Sequence, residues 1–213
     1  MIDLIDPDLN SMPPLEICRR IANLTHNAIS LLQQGHGWAP GPIQKRLDKA
    51  GLDYLESLSL SLPHWLNCDR DGDLILAWAN LGTLVECTMQ LLLITFDEAY
   101  KKNPHARRDE KDRILDAEKI RFEDLRDFCN KNVWNPAPAE HAHIISFRNW
   151  NPYAYLVHSR RNAIHSIKRR EIGSFDEWGQ MLPVHLSFIR EMFQQRMESR
   201  YPEDTYPDED DWW

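Results

Sequence analysis

Tyr155-Leu-Val-His-Ser-Arg-Arg-Asn-Ala-Ile-His165 places His158, Arg160, Arg161, Asn162 and His165 within one short, otherwise largely apolar stretch. A guanidinium stays charged at any working pH and donates planar, paired hydrogen bonds to phosphate oxygens. Imidazole is the side chain best able to move a proton near neutrality. Arginine beside histidine is therefore a phosphate-handling combination.

On a helix advancing about 100° per residue, Tyr153, Leu156, Val157, Ala163, Ile164 and Ile167 share one face, and Arg160 falls among them about 40° from Ile164. A charge in an apolar stripe is costly unless an anion meets it, so Arg160 requires a buried carboxylate, a carbonyl cluster, a partner subunit or a ligand. Arg161 and His165, four apart, are neighbours at the edge of the stripe. His158 and Asn162 continue this polar edge, and Lys168 and Arg169 extend it as phosphate-binding positions. The same pattern arises when one arginine is paired to a core acid and the rest are helix surface.

These residues belong to a chain of 213 residues, long enough for one substantial core, with 42% apolar and 27% charged residues as in ordinary soluble proteins. Met1-Ile-Asp-Leu-Ile-Asp6 has no basic region followed by an apolar one, so no targeting segment is indicated. Cys18, Cys68, Cys87 and Cys129 are scattered and form no C-x-x-C pair. That argues against zinc and against a disulfide framework, and a reducing cytoplasm is the expected setting. No metal or cofactor is expected. The net charge of −8 is uneven: residues 201–213 hold Glu203, Asp204, Asp208, Glu209, Asp210 and Asp211 with no base, while Arg148 to Arg170 holds six cations and no acid. The basic stretch can meet a phosphate backbone or the chain's own acidic segment.

Every element that must position these residues reads as helical. Pro14 to Gln34 carries apolar residues at helical spacing, closed by Gly35, and residues 35–42 form a loop. A second helix is expected from Pro42 to about Leu62. Asp69-Arg-Asp-Gly-Asp73 resembles the opening of a calcium loop, but Asn80 stands where the twelfth-position glutamate belongs, so it is read as a turn. The next helix, from Asp73 to about Lys102, is apolar on nearly every side and must be central. Asn80, Glu86 and Gln90 interrupt it, so it is not read as a membrane span. Its Gly82 allows another helix to approach closely, and Glu86 needs a cation. The expected pairing is Glu86 with Arg160.

An amphipathic helix follows from Arg108 to Asn130, then a loop at 132–138 and a polar segment with His141 and His143, a metal site only if a third ligand lies nearby. The Arg/His helix should run from Pro152 to about Ile172, where Gly173 stops it. Ser174-Phe-Asp-Glu177 is a capping box opening a last helix to about Arg200. His185 in that helix reads as a satisfied core residue. No alternating segment, phosphate loop or repeat is visible. The expected architecture is one all-α domain over 1–200, with 201–213 as an acidic, aromatic tail.

Asn80-Leu-Gly-Thr-Leu-Val-Glu86 on one long helix and Arg160-Arg-Asn-Ala-Ile-His165 on a later one resemble the HEPN superfamily of helical bundles. Its members carry an arginine, often followed by a polar residue, with a histidine after a gap of four to six. The likeness covers about 73–200 and makes the helices at about 14–62 an addition to the core. Asn80 to Glu86, Arg161 to Ile167 and the Tyr-Pro tail also resemble a group of bacterial proteins. The resemblance implies a metal-independent ribonuclease with a site shared across a two-fold homodimer. Attack by a 2′-hydroxyl on phosphorus needs a base, an acid and positive charge on the phosphorane, roles for His165 and Arg160 or Arg161 from both subunits. Asn162 would orient His165 or bind phosphate; Glu86, with Asn80 and His158, would support the arginine. The substrate would be RNA, and a neutralising antitoxin or other protein partner is implied by analogy.

The motif departs from the family's pattern. Arg160 has the four-residue gap to His165 but is followed by Arg161; Arg161 is followed by Asn162 but stands one residue too near. Either one arginine has taken the other's role, or the motif is degenerate. The alternative is a non-catalytic binding or regulatory module acting through protein contacts, without a membrane, in which Trp212 and Trp213 insert into a groove of this chain or its dimer mate.

Overall fold

A computed structural model describes residues 4–9, 11–33, 39–134, 148–165 and 170–193. Among them are eight α-helices and no strand beyond one isolated antiparallel bridge between Arg108 and Ile114. His141, His143, Lys168, Arg169 and 201–213 lie outside the described residues.

Helix α1 (Pro14–Gln33) matches its sequence pattern, burying Ile17, Ile21, Leu24, Ala28 and Leu32 at helical spacing. The helix expected from Pro42 to Leu62 is divided at Gly51 into α2 (Gly41–Leu47) and α3 (Leu52–Leu60), with a 3₁₀ segment after it. Arg46 anchors α2 to the rest of the fold. Its guanidinium donates to Asp97 at 2.5 Å and to both carboxylate oxygens of Glu118, tying α2 to two distant turns.

Helix α4 (Asp71–Thr95) is central and packs against α2, α3, α6, α7 and α8. By length and composition it could cross a bilayer, but 61% of its most apolar stretch is buried within the fold. It stops at Phe96, and α5 (Asp97–Lys102) follows as a separate helix.

The helix expected from Arg108 is absent until α6 (Phe122–Cys129). Asp109 accepts the backbone N–H groups of Lys111 and Arg113, each at 2.9 Å, and Asp112 takes φ +60°. The side-chain oxygen gives the backbone an alternative to the helix ladder, and a turn results. After α7 (Asn151–Arg161) comes α8 (Phe175–Arg190), capped by Ser174 Oγ, which accepts from Glu177 N–H at 3.1 Å.

Side-chain pairs fix the directions of these helices. Arg161 meets Gly82 and Glu86 on α4 and Phe122 on α6, while Phe128 at the other end of α6 packs on Tyr100. Arg160 and Tyr153 on α7, with Trp150 just before it, face Glu177, His185 and Phe188 on α8. Thus α4, α6 and α8 run one way and α7 runs the other. Trp78, Trp150, Tyr153, Trp178 and Phe188 are fully buried. Trp78 Nε1 donates to the Ile172 carbonyl at 2.8 Å and Trp178 Nε1 to that of Ala77 at 3.2 Å, holding the segment before α8 against α4.

Candidate functional site

Pro152 suits the first turn of α7, where its missing N–H is not needed. The α-helix ends at Arg161, about eleven residues earlier than its sequence pattern suggests, and continues as a 3₁₀ turn, Asn162–His165. The tighter turn ends the register that would set Arg161 and His165 on one face. It also leaves Ile164 43% exposed instead of in the apolar stripe. His165 closes this turn, and its side chain lies outside the described residues.

The two arginines, one helical step apart, leave α7 in different directions. Arg160 is 9% exposed and turns toward α8. Its Nη1 donates to the Glu171 carbonyl at 3.0 Å, and Nη2 to the carboxylates of Glu177 at 3.0 Å and Glu171 at 3.2 Å. Burial works against its charge, but Glu177 and Glu171 outweigh this and hold it above its ordinary value. Its expected partner was Glu86. The structure instead gives Glu86 to Arg161, with Nη1 donating to Oε2 at 2.6 Å. A step of about 100° decides this: it carries Arg161, not Arg160, onto the side of α7 that faces α4.

Gly82 makes that approach possible. A Cβ there would stand 2.6 Å from Cδ of Arg161 and 2.9 Å from its Cβ. The Arg161 guanidinium also lies 5.5 Å from the ring centroid of Phe122, in cation–π range. His158, one turn back, packs its ring on Phe122 at 4.9 Å. The Asn162 amide donates to His158 Nε2 at 3.0 Å, so the ring proton sits on Nδ1. Burial, with the charge of Arg126 added, lowers the His158 pKa and keeps the ring neutral at pH 7.

The structure thus brings together Arg161, Glu86, Asn162 and His158. Arg160 faces away, and Asn80 lies elsewhere, with its amide donating to Ser61 Oγ at 2.6 Å on the side of α4 toward the 3₁₀ segment after α3. Phe122, Arg126 and Tyr155 complete the cluster; Arg126 stands 5.1 Å from the exposed Tyr155 ring. Phe122 and Arg126 are four apart on α6, a spacing that marks one face once the helix is started at Phe122. Chemically, a neutral imidazole near a guanidinium is a fit form for proton transfer. Here its acceptor nitrogen is occupied by Asn162, and the set acts as a polar seam joining α4, α6 and α7.

Among the described residues no group of three His, Cys, Asp or Glu side chains is placed to hold a metal ion, and the four cysteines are free thiols. No family model, curated protein or solved structure matches the chain.

Proposed function

We propose that this chain is a helical binding module, HEPN-like in plan, that acts through protein contacts, with its Arg/His helix built into the scaffold. One observation carries this reading: Arg160 and Arg161 diverge, and each ends on a carboxylate of its own chain. A guanidinium already engaged by carboxylates must break those contacts before it can neutralise a phosphorane. The proposed contact residues are Leu76 on α4, 47% exposed, and Ile164 on the 3₁₀ turn that packs against α4. The occupant of this surface is a second copy of the chain, and a protein partner such as an antitoxin would compete for it. A sizing column at tens of micromolar should show a dimer, and Leu76→Glu with Ile164→Glu should give a monomer. A monomeric wild type at that concentration overturns the dimer.

A second reading, a metal-independent ribonuclease, is favoured by Glu86 holding Arg161, the arginine followed by asparagine as in HEPN sequences. Incubation with RNA in chelator separates the two. The binding module leaves RNA intact in both the wild type and His165→Ala. Products ending in cyclic phosphate, lost in that variant, would establish the nuclease and overturn the first reading.

A further inference from the structure

The acidic segment 201–213 needs a counter-surface, and in the basic stretch Arg148 to Arg170 that its sequence suggests, three of the six cations are already held by carboxylates. Arg148 is held by Asp6 at 2.6 Å, Arg160 by Glu177 and Glu171, and Arg161 by Glu86. A different group of cations surrounds a cleft of about 320 Å³ between the residues after α5 and the end of α6. His105, Arg107, Arg108 and Lys131 line it, with Asp127 as the acid in its wall. Asp127 is already engaged by Arg126 at 2.9 Å. Arg107 reaches Asp124 at 3.0 Å and Asp127 at 3.9 Å through Nη2, while its buried Nε has no acceptor. Arg108 donates to the Asp112 carbonyl at 2.9 Å, pairs with the Asp112 carboxylate at 3.5 Å and is 44% exposed, and Lys131 is exposed. Pro104 and Phe128 add an apolar wall suited to an indole ring.

We propose that segment 201–213 docks in this cleft of its own chain, its carboxylates meeting Lys131, Arg108 and Arg107 and its tryptophans covering Pro104 and Phe128. Chain direction supports it. Helix α8 runs parallel to α4 and α6, so its last described residues emerge at the end of the bundle where Tyr100 meets Phe128, the same end as the cleft. From residue 193, an extended chain covers roughly 26 Å to residue 201 and about 66 Å to residue 213, against about 37 Å for the whole length of α4. Reach is therefore sufficient without crossing the bundle. Six acids without a base match a cleft with a surplus of cations, and a bound segment would exclude any other acidic peptide from it.

The test is amide hydrogen exchange of 201–213 in the full chain, with the free peptide of the same sequence as reference. Docking slows exchange about tenfold or more. Arg108→Glu with Lys131→Glu should abolish the protection, and adding Glu209→Lys with Asp210→Lys should restore it, which separates lost attraction from a damaged fold. Lys168→Glu with Arg169→Glu should leave it unchanged. Exchange at the free-peptide rate in the wild type overturns the proposal. So does protection that survives the cleft variant and disappears in the Lys168/Arg169 variant, or protection lost on dilution, which would place the segment on a second copy.

Discussion

Gly82 and Arg161 occupy the same space: the missing side chain on α4 is filled by the stem of the arginine on α7. Restoring a methyl group would press on Cβ and Cδ, close to the backbone, where the side chain cannot swing aside. Such overpacking costs about 1–3 kcal/mol, against a gain of about 1 kcal/mol in helix propensity. Gly82→Ala should therefore lose about 1 kcal/mol, a fall in Tm of about 2–4 °C. In an Arg161→Gly background neither Cβ nor Cδ remains to be pressed, and the same substitution should stabilise by up to about 1 kcal/mol. Calorimetry on the four proteins tests the change of sign. An equal effect in both backgrounds would show that Gly82 is not there for Arg161.

Arg160 joins the end of α7 to the start of α8 through a backbone carbonyl and two carboxylates. Arg160 is buried while Glu171 is 83% exposed and Glu177 30% exposed, so removing the guanidinium costs about 1–3 kcal/mol. Arg160→Ala should lose that much and speed amide exchange across 170–177. Arg160→Lys keeps the charge but not the fork that reaches Glu171 and Glu177 together, and should fall between. Stability within about 0.5 kcal/mol of wild type for the alanine variant would mean that the arginine is kept for something outside the chain.

Periodicity made α1 and α4 legible because each buries a regular apolar pattern over many turns. It misread 108–121, where Ile114, Leu115 and Ala117 sit at helical spacing but Asp109 turns the backbone with its own carboxylate. It also extended α7 too far, since nothing local in Arg-Arg-Asn-Ala-Ile-His reveals a change to 3₁₀ geometry. The Glu86 pairing was half legible. An acid in a central helix demanded a cation, but register decides between residues 160 and 161, and register is a tertiary property. Gly82 held the missing clue, since it marks where the approaching helix comes closest. The cleft beside Lys131 joins residues 104–108 to the end of α6, a juxtaposition set by tertiary packing and invisible to local pattern.

His185 is buried beside Tyr153, whose hydroxyl lies 2.9 Å from Nδ1, and burial lowers its pKa to about 3. Its unfolded value is near 6.5, so the unfolded chain takes up the proton first as pH falls. The stability associated with the neutral ring is complete above about pH 6.5 and is lost progressively toward pH 3. Between pH 7 and 5 this amounts to about 2 kcal/mol. His158, lowered by burial and by Arg126, adds in the same direction. Urea midpoints at the two pH values should show a clearly smaller decline in His185→Gln, which can keep a hydrogen bond to Tyr153 and does not titrate. Parallel declines would place the pH sensitivity elsewhere.

Gly173 and Ser174 are adjacent yet act on different structures. Gly173 has φ +70°, and a Cβ there would meet the Glu177 carboxylate and approach Arg160 Nε at 3.3 Å. Gly173→Ala therefore combines left-handed strain, about 1–2 kcal/mol, with displacement of Glu177 from Arg160, for a total near 3 kcal/mol. Ser174→Ala removes only the cap on Glu177 N–H, costing about 1 kcal/mol. Combined with Arg160→Ala, the serine change should be nearly additive. The glycine change should fall short of additivity by about 1 kcal/mol, because the contact it disrupts is already gone. Denaturation of the single and double variants measures both couplings. Additivity of Gly173→Ala with Arg160→Ala within about 0.5 kcal/mol would show that the turn and the guanidinium are independent, and that Gly173 serves backbone geometry alone.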